Sequence, residues 1–351
     1  MDPDAVADLL DGADSGPAAS EADAGRVPHG SVDDPDVLDF SANTNPRIPD
    51  GIEAVYRTAL ADARSYPDDD YPDFRAAAAH YGDCHPEQVV PTPGGLAAIR
   101  LTVATTVEPG DSVLVPYPSF GEYAREVRLQ GATSAFVPAA DLLTADPADH
   151  ALAVVCQPNN PTGAAYDVAE LHEFAERCRM ADTPLLVDEA FLGFTPLETM
   201  AGTPGVVVAR SLTKLFGLPG LRAGFAVADG ELYDRLAVAR RAWNLGTPAA
   251  AVGAHCMRQD DFVRETRERV ETERARMADR LATRFTVADS DAPFLLLETR
   301  SSAAVDALLE TVAHDGIAIR DARTFRGLDR HVRVAVRLPA ENDRLLEALD
   351  V

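Results

Sequence analysis

Val206-Val207-Val208-Ala209-Arg210-Ser211-Leu212-Thr213-Lys214 decides the reading of this chain. An unbroken apolar run with no polar alternation predicts a strand covered on both faces, the habit of parallel sheets. The polar residues that follow it fall at the strand's carboxyl end, where open α/β sheets bind ligands. Two upstream segments repeat the pattern. Ala151 to Cys156 leads into Gln157-Pro158-Asn159-Asn160-Pro161-Thr162-Gly163, and Leu185 to Val187 leads into Asp188-Glu189-Ala190-Phe191. Consecutive parallel strands would bring Asn160, Asp188 and Lys214 to one rim.

Working outward, further apolar runs occur at Gln88 to Pro91, Ser112 to Pro116 and Ala223 to Val227. Helical patterns lie at Gly95 to Val107, Val168 to Met180 and Asp261 to Phe285. Strand and helix alternating at roughly 30 residues per unit predict a doubly wound α/β domain with a mostly parallel sheet. The runs Phe294 to Leu297, Ile317 to Arg320 and Val332 to Val336 predict a smaller α+β domain. The expected division is an acidic, flexible tail over 1–27, an arm over 28–50 joining the small domain, a large domain over 51–229 and a small domain over 230–351. On the strand Val332 to Val336, the valines share one face and Arg333 and Ala335 the other, with Arg337 continuing that face.

Composition narrows the function. Of 351 residues, 57 are acidic and 32 basic, a net charge of −25 that disfavours nucleic acid and anionic membranes as partners. The acidic surface resembles proteins of extreme halophiles. Cys84, Cys156, Cys178 and Cys256 form no C-x-x-C pair, so no zinc site or disulfide framework is expected. No long apolar stretch or signal peptide is visible, and a cytoplasmic location is expected. Lys214 is the only lysine among the 32 basic residues.

That lysine suggests chemistry. A partly desolvated lysine at a strand end can form a Schiff base with a carbonyl. A carboxylate at a neighbouring strand end can keep a pyridine nitrogen protonated, which pyridoxal phosphate requires as an electron sink. Ser211, Thr213 and Arg222, with backbone N–H groups at Gly94-Gly95, could hold a phosphate.

Taken together, S-x-T-K-x7-R, PNNPTG and D-E-A-F resemble the fold type I pyridoxal-phosphate enzymes of the aspartate aminotransferase superfamily. The resemblance covers nearly the whole chain after the tail. It implies pyridoxal 5'-phosphate as cofactor, Lys214 as its covalent attachment, Asp188 as the pyridinium partner and Asn160 as donor to the ring oxygen. It implies Ser211, Thr213, Arg222 and the loop Gly94, Gly95 and Leu96 as phosphate ligands, and Phe120 as the aromatic stacked on the ring. Tyr66 resembles the tyrosine that reaches the neighbouring subunit's site, which implies a homodimer. Arg333 matches the arginine that grips a substrate carboxylate.

Two subgroups share these motifs, the histidinol-phosphate aminotransferases and the threonine-phosphate decarboxylases of cobalamin synthesis. Phe191 stands where the aminotransferases usually carry a tyrosine touching the ring oxygen. The segments Asp39 to Pro46, Arg210 to Lys214, His29-Gly30 and Gly327-Leu328-Asp329 look like the decarboxylase forms. By that resemblance His29, Asn43, Arg320 and Arg333 hold the substrate's phosphate and carboxylate. Two departures are visible: Ser31 follows His29-Gly30 in place of a second glycine, and Thr92 to Leu96 lacks the polar residues often found in the phosphate loop. A non-catalytic regulator of the same fold is the expectation from another class, but the acidic first 28 residues do not suit a DNA-binding domain.

Overall fold

A computed structural model describes residues 1–12, 27 and 30–351. The strands are β1 (Leu38–Asp39), β2 (Val89–Thr92), β3 (Ser112–Tyr117), β4 (Thr133–Pro138), β5 (Leu152–Cys156), β6 (Leu185–Asp188), β7 (Val206–Ser211), β8 (Gly224–Val227), β9 (Thr286–Val287), β10 (Phe294–Glu298), β11 (Ile317–Ala318), β12 (Arg320–Asp321) and β13 (His331–Ala335). Seven of them form one sheet in the order β2-β8-β7-β6-β5-β3-β4. Only β8 runs against the others, pairing antiparallel with β2 and β7. The mostly parallel, doubly wound expectation holds.

Alternate residues of each strand enter different cores. Val155, Val187 and Val208 pack on one face, against side chains such as Phe74 and Phe174 from the helices Pro72–Gly82 and Val168–Met180. Val154, Leu186 and Val207 pack on the other, with Ile99 and Val103 of the helix Gly95–Thr106. Every residue of β5 and β6 is buried, which is why their sequences read as unbroken apolar runs. The strand β4 was not expected. Its sequence, TSAFVP, is half-exposed at the sheet edge and has no continuous apolar run to mark it.

A second sheet, β12-β13-β10-β9, is antiparallel, and β1 pairs in parallel with β11 beside it. The segment after β1 is thereby laid against the C-terminal strands, with Phe40 N–H donating to Ala318 and its carbonyl accepting from Ala335. Within the tail expected as flexible or loosely helical, Pro3–Gly12 is a docked helix that buries Ala5 and Leu9, and Asp2 N–H donates to the Leu129 carbonyl at 2.9 Å. Apolar side chains four apart on one helical face supply a docking stripe that the acidic composition concealed. Among the described residues, no helix is long and apolar enough to cross a membrane, and no cluster of three metal-ligating side chains occurs. All four cysteines are free thiols.

Candidate functional site

The strands β5, β6 and β7 are parallel neighbours, and their carboxyl ends open into a cavity of about 350 Å³. Asp188 ends β6, in register with Cys156 on one side and Ala209 on the other. Asn160 follows β5, and Lys214 stands in the short helix Leu212–Leu215 that follows β7. All three line the cavity. A buried ion pair between Arg210 and Glu189, at 2.7 Å, ties the ends of β6 and β7 together; Glu189 also accepts from Met200 N–H and the Thr199 hydroxyl.

Asp188 is 5% exposed and accepts from the Tyr123 hydroxyl at 2.6 Å and from Ala190 N–H at 3.0 Å. Burial raises its carboxyl above the usual range, while those two donors pull it back down. Lys214 is held down to about 8, first by burial and then by the nearby charges of Arg333 and Arg222. An amine near neutrality can both attack a carbonyl and exchange a proton.

Opposite the sheet stand two arginines. Arg320 and Arg333 are register partners on β12 and β13, so their side chains leave the sheet on the same face. Like charges placed so are unfavourable without an anion between them. Burial, then Arg320, holds Arg333 down to about 9. The groups that Arg333 meets are neutral: Asn160 Oδ1, the Ser41 carbonyl at 3.0 Å and, with its amide oxygen turned inward, Asn43 at 3.3 Å. Its guanidinium also lies 5.0 Å over the Phe294 ring.

At another end of the cavity, a helix start meets three polar side chains. The helix Gly95–Thr106 begins at Gly94, whose φ of 95° lies in the left-handed region. A Cβ there would lie 2.8 Å from Arg222 Nη2, so glycine is required for the guanidinium to approach the helix start. Ser211 and Thr213 hydroxyls lie 2.9 Å apart at the same place.

Of the residues expected from sequence, Asn43, Gly95, Leu96, Phe120, Asn160, Asp188, Ser211, Thr213, Lys214, Arg222, Arg320 and Arg333 all line this cavity. Gly94 abuts it through Arg222. Tyr66 does not; it is 79% exposed and packs on Trp243, with ring centroids 4.6 Å apart. His29 lies outside the described residues. Sequence reasoning missed Tyr123, the hydroxyl donor to Asp188. Its signal was its place in the helix Glu122–Arg128, close after Phe120.

The family described as aminotransferase class I and II matches residues 35–349. The chain belongs to that family. Histidinol-phosphate aminotransferase 2 of Archaeoglobus fulgidus is 29% identical over 327 residues, spanning 90% of this chain and 93% of its own. Threonine-phosphate decarboxylase of Salmonella typhimurium is 32% identical over 335 residues, spanning 89% and 90%. The crystal structure of histidinol-phosphate aminotransferase from Sinorhizobium meliloti in complex with pyridoxal-5'-phosphate matches with a TM-score of 0.81 at 22% identity, covering 89% of each chain.

The family is pyridoxal-phosphate dependent, and this chain's residues fit that cofactor. A glycine-started helix, two hydroxyls and an arginine suit a phosphate dianion. The buried carboxylate of Asp188, whose hydrogen bonds come from neutral donors, suits a protonated ring nitrogen. Lys214 suits the aldehyde, Asn160 the ring oxygen and Phe120 the ring face.

Proposed function

We propose that this enzyme decarboxylates L-threonine O-3-phosphate to (R)-1-amino-2-propanol O-2-phosphate. The observation that carries the reading is Phe191. It lines the cavity beside Asp188 and Ala190 and packs edge to face on Phe294 at 5.1 Å. The related aminotransferases usually place a tyrosine hydroxyl at this position, and this chain offers an apolar ring.

When bound, pyridoxal phosphate supplies an electron sink for the pair left behind when a bond at the substrate Cα breaks. Asp188 would keep the proton on the cofactor's ring nitrogen. Ser211, Thr213, Arg222 and the helix start hold the cofactor phosphate. Arg320, Arg333 and Asn43 would grip the substrate's phosphate and carboxylate, and thereby decide which Cα bond is broken. Held so, the carboxylate would leave as CO2, and Lys214, its amine protonated from solvent, would deliver one proton to Cα. Phe191 and Phe325 keep water from that carbon. Orientation of this kind is worth up to roughly 7–11 kcal/mol in well-aligned systems.

The working unit is proposed to be a homodimer in which Tyr66 serves the neighbouring site; its 79% exposure in the single chain suits that role. Sedimentation of the protein with and without Tyr66→Ala checks this. The reaction itself is tested by incubating the protein with pyridoxal phosphate and threonine phosphate. CO2 release without added 2-oxoglutarate supports the proposal; stoichiometric glutamate from histidinol phosphate and 2-oxoglutarate would overturn it.

A further inference from the structure

Lys214 is carried by a helix of only four residues, Leu212–Leu215, whose last carbonyls have no further helical turn to meet, although that of Lys214 also accepts from Gly217 N–H at 3.4 Å. Asn45 meets two of them. Its backbone N–H donates to the Lys214 carbonyl at 2.9 Å, and its Nδ2 donates to the Leu215 carbonyl at 2.8 Å. The same Nδ2 donates to Thr266 Oγ1 at 3.3 Å, while Oδ1 accepts from Arg47 N–H at 3.1 Å and from Arg269 Nη2 at 2.8 Å. Both amide hydrogens and both lone pairs are thus engaged, in a residue 4% exposed.

Gly217 adds an independent observation. Its φ is 66°, and a Cβ on it would lie 2.5 Å from the Arg47 carbonyl and 2.7 Å from the Asn45 carbonyl. The chain leaving the lysine is therefore pressed onto the backbone of Asn45 to Arg47. Thr266 and Arg269 belong to the helix Asp260–Leu281, and Arg269 Nη1 also donates to the Arg337 carbonyl at 2.7 Å, just past the strand that carries Arg333. Hydrogen bonds therefore run without a break from the lysine turn, through Asn45 and Arg269, to the chain that follows the substrate-gripping arginine.

We propose that Asn45 is a positioning residue that fixes Lys214 relative to Arg333, with Arg269 as the link between them. This rests on Lys214 being the lysine that takes the cofactor. Asn45 touches no reacting atom; it acts through the turn it clamps. A misplacement of about 1 Å far from the chemistry can cost about 10²-fold in rate.

Asn45→Asp separates the two halves of the clamp, since it keeps the acceptor for Arg269 and loses the donor to Leu215. Arg269→Met does the reverse, and Arg269→Lys restores one donor. The measurements are borohydride labelling of Lys214 by pyridoxal phosphate, visible circular dichroism of the bound cofactor, and kcat and KM with threonine phosphate. Asn45→Asp should still be labelled at Lys214, with altered dichroism and with kcat lowered about 10- to 100-fold while KM moves less than about threefold. Arg269→Met should shift the dichroism in the same sense, and Arg269→Lys should bring it part-way back. Labelling and dichroism need no turnover, so they read the proposal whatever the substrate. Wild-type dichroism and kcat in a labelled Asn45→Asp protein would overturn the proposal alone. If that variant does not fold, unchanged dichroism in Arg269→Met overturns it. Absence of Lys214 labelling in the unsubstituted protein would remove the cofactor reading and this proposal with it.

Discussion

The sheet side of the cavity sets a carboxylate beside a lysine, whereas its C-terminal side carries arginines, and each group holds its charge against its surroundings. On the sheet side, burial pushes the Asp188 carboxyl up toward neutrality. Beside it, burial and the nearby charges of Arg333 and Arg222 push Lys214 down to about 8; on the other side, burial and Arg320 push Arg333 down to about 9. All three shifts disfavour the charged form, the signature of groups placed for a partner the protein itself does not supply. The walls thus suit a ligand that is cationic at one end and anionic at the other. A protonated pyridine nitrogen facing Asp188, with a carboxylate and phosphate facing Arg320 and Arg333, meets that description.

Substitutions can break this opposition wall by wall. The largest effect is expected from Lys214→Arg, which keeps the charge but cannot form the bond to the cofactor. Turnover should fall by more than about 10³-fold, in the upper range for a positioned proton-transfer group, with the melting temperature nearly unchanged. Activity near wild type would remove the basis for assigning Lys214. Asp188→Asn comes next. Replacing the carboxylate with a neutral amide should lower kcat by about 10²-fold, the scale of removing one preorganised electrostatic contact, and spectra of the bound cofactor should show loss of the protonated ring.

On the opposite wall, Arg333→Met should act mainly on substrate binding. A hydrogen bond to a charged group is worth roughly 1.5–3 kcal/mol, so KM should rise about 10- to 100-fold with cofactor binding retained, as titration with pyridoxal phosphate would check. Tyr123→Phe is milder. It removes one of the two donors to Asp188, and a loss of about tenfold in kcat with an intact fold is expected from the lower end of that range.

The smallest effect concerns stability and has a definite sign. The Lys214 amine falls from its ordinary 10.5 to about 8 on folding. Below pH 8 both folded and unfolded chains carry the charge, and its burial penalty is complete; between about 8 and 10.5 only the unfolded chain keeps the proton, so stability rises with pH. Lys214→Met in cofactor-free protein should therefore raise the melting temperature by a few degrees at pH 7. The gain should shrink as pH climbs above 8.

The two walls also differ in how legible they were. The sheet side could be read from sequence because β5, β6 and β7 are covered on both faces, and the residue that matters follows each unbroken apolar run closely: Asp188 at once, Asn160 and Lys214 a few residues on. The other wall has no such mark. Arg333 sits in a strand whose alternation also fits a half-exposed face, yet the structure buries it beside Arg320, a register that depends on a pairing between β12 and β13 invisible in either segment alone. Asn43 and Arg333 were reached through family resemblance and not through pattern. Tyr123 and Asn45 act through other residues, Asp188 and the Lys214 turn, so neither stands at a strand end where a search for chemistry would look. The docking of the helix Pro3–Gly12 was obscured by its acidic composition, since among its described side chains only Ala5 and Leu9 are buried.

The central claim is that the cavity directs bond breaking to the carboxylate of a phosphorylated amino acid. Proton nuclear magnetic resonance of the reaction with threonine phosphate in D2O, in the presence of pyridoxal phosphate and without 2-oxoglutarate, tests it directly. The account predicts aminopropanol phosphate that retains the substrate's own Cα hydrogen and gains one deuterium where the carboxylate was. Recovery of threonine phosphate with its Cα hydrogen exchanged for deuterium, and no aminopropanol phosphate, would contradict it.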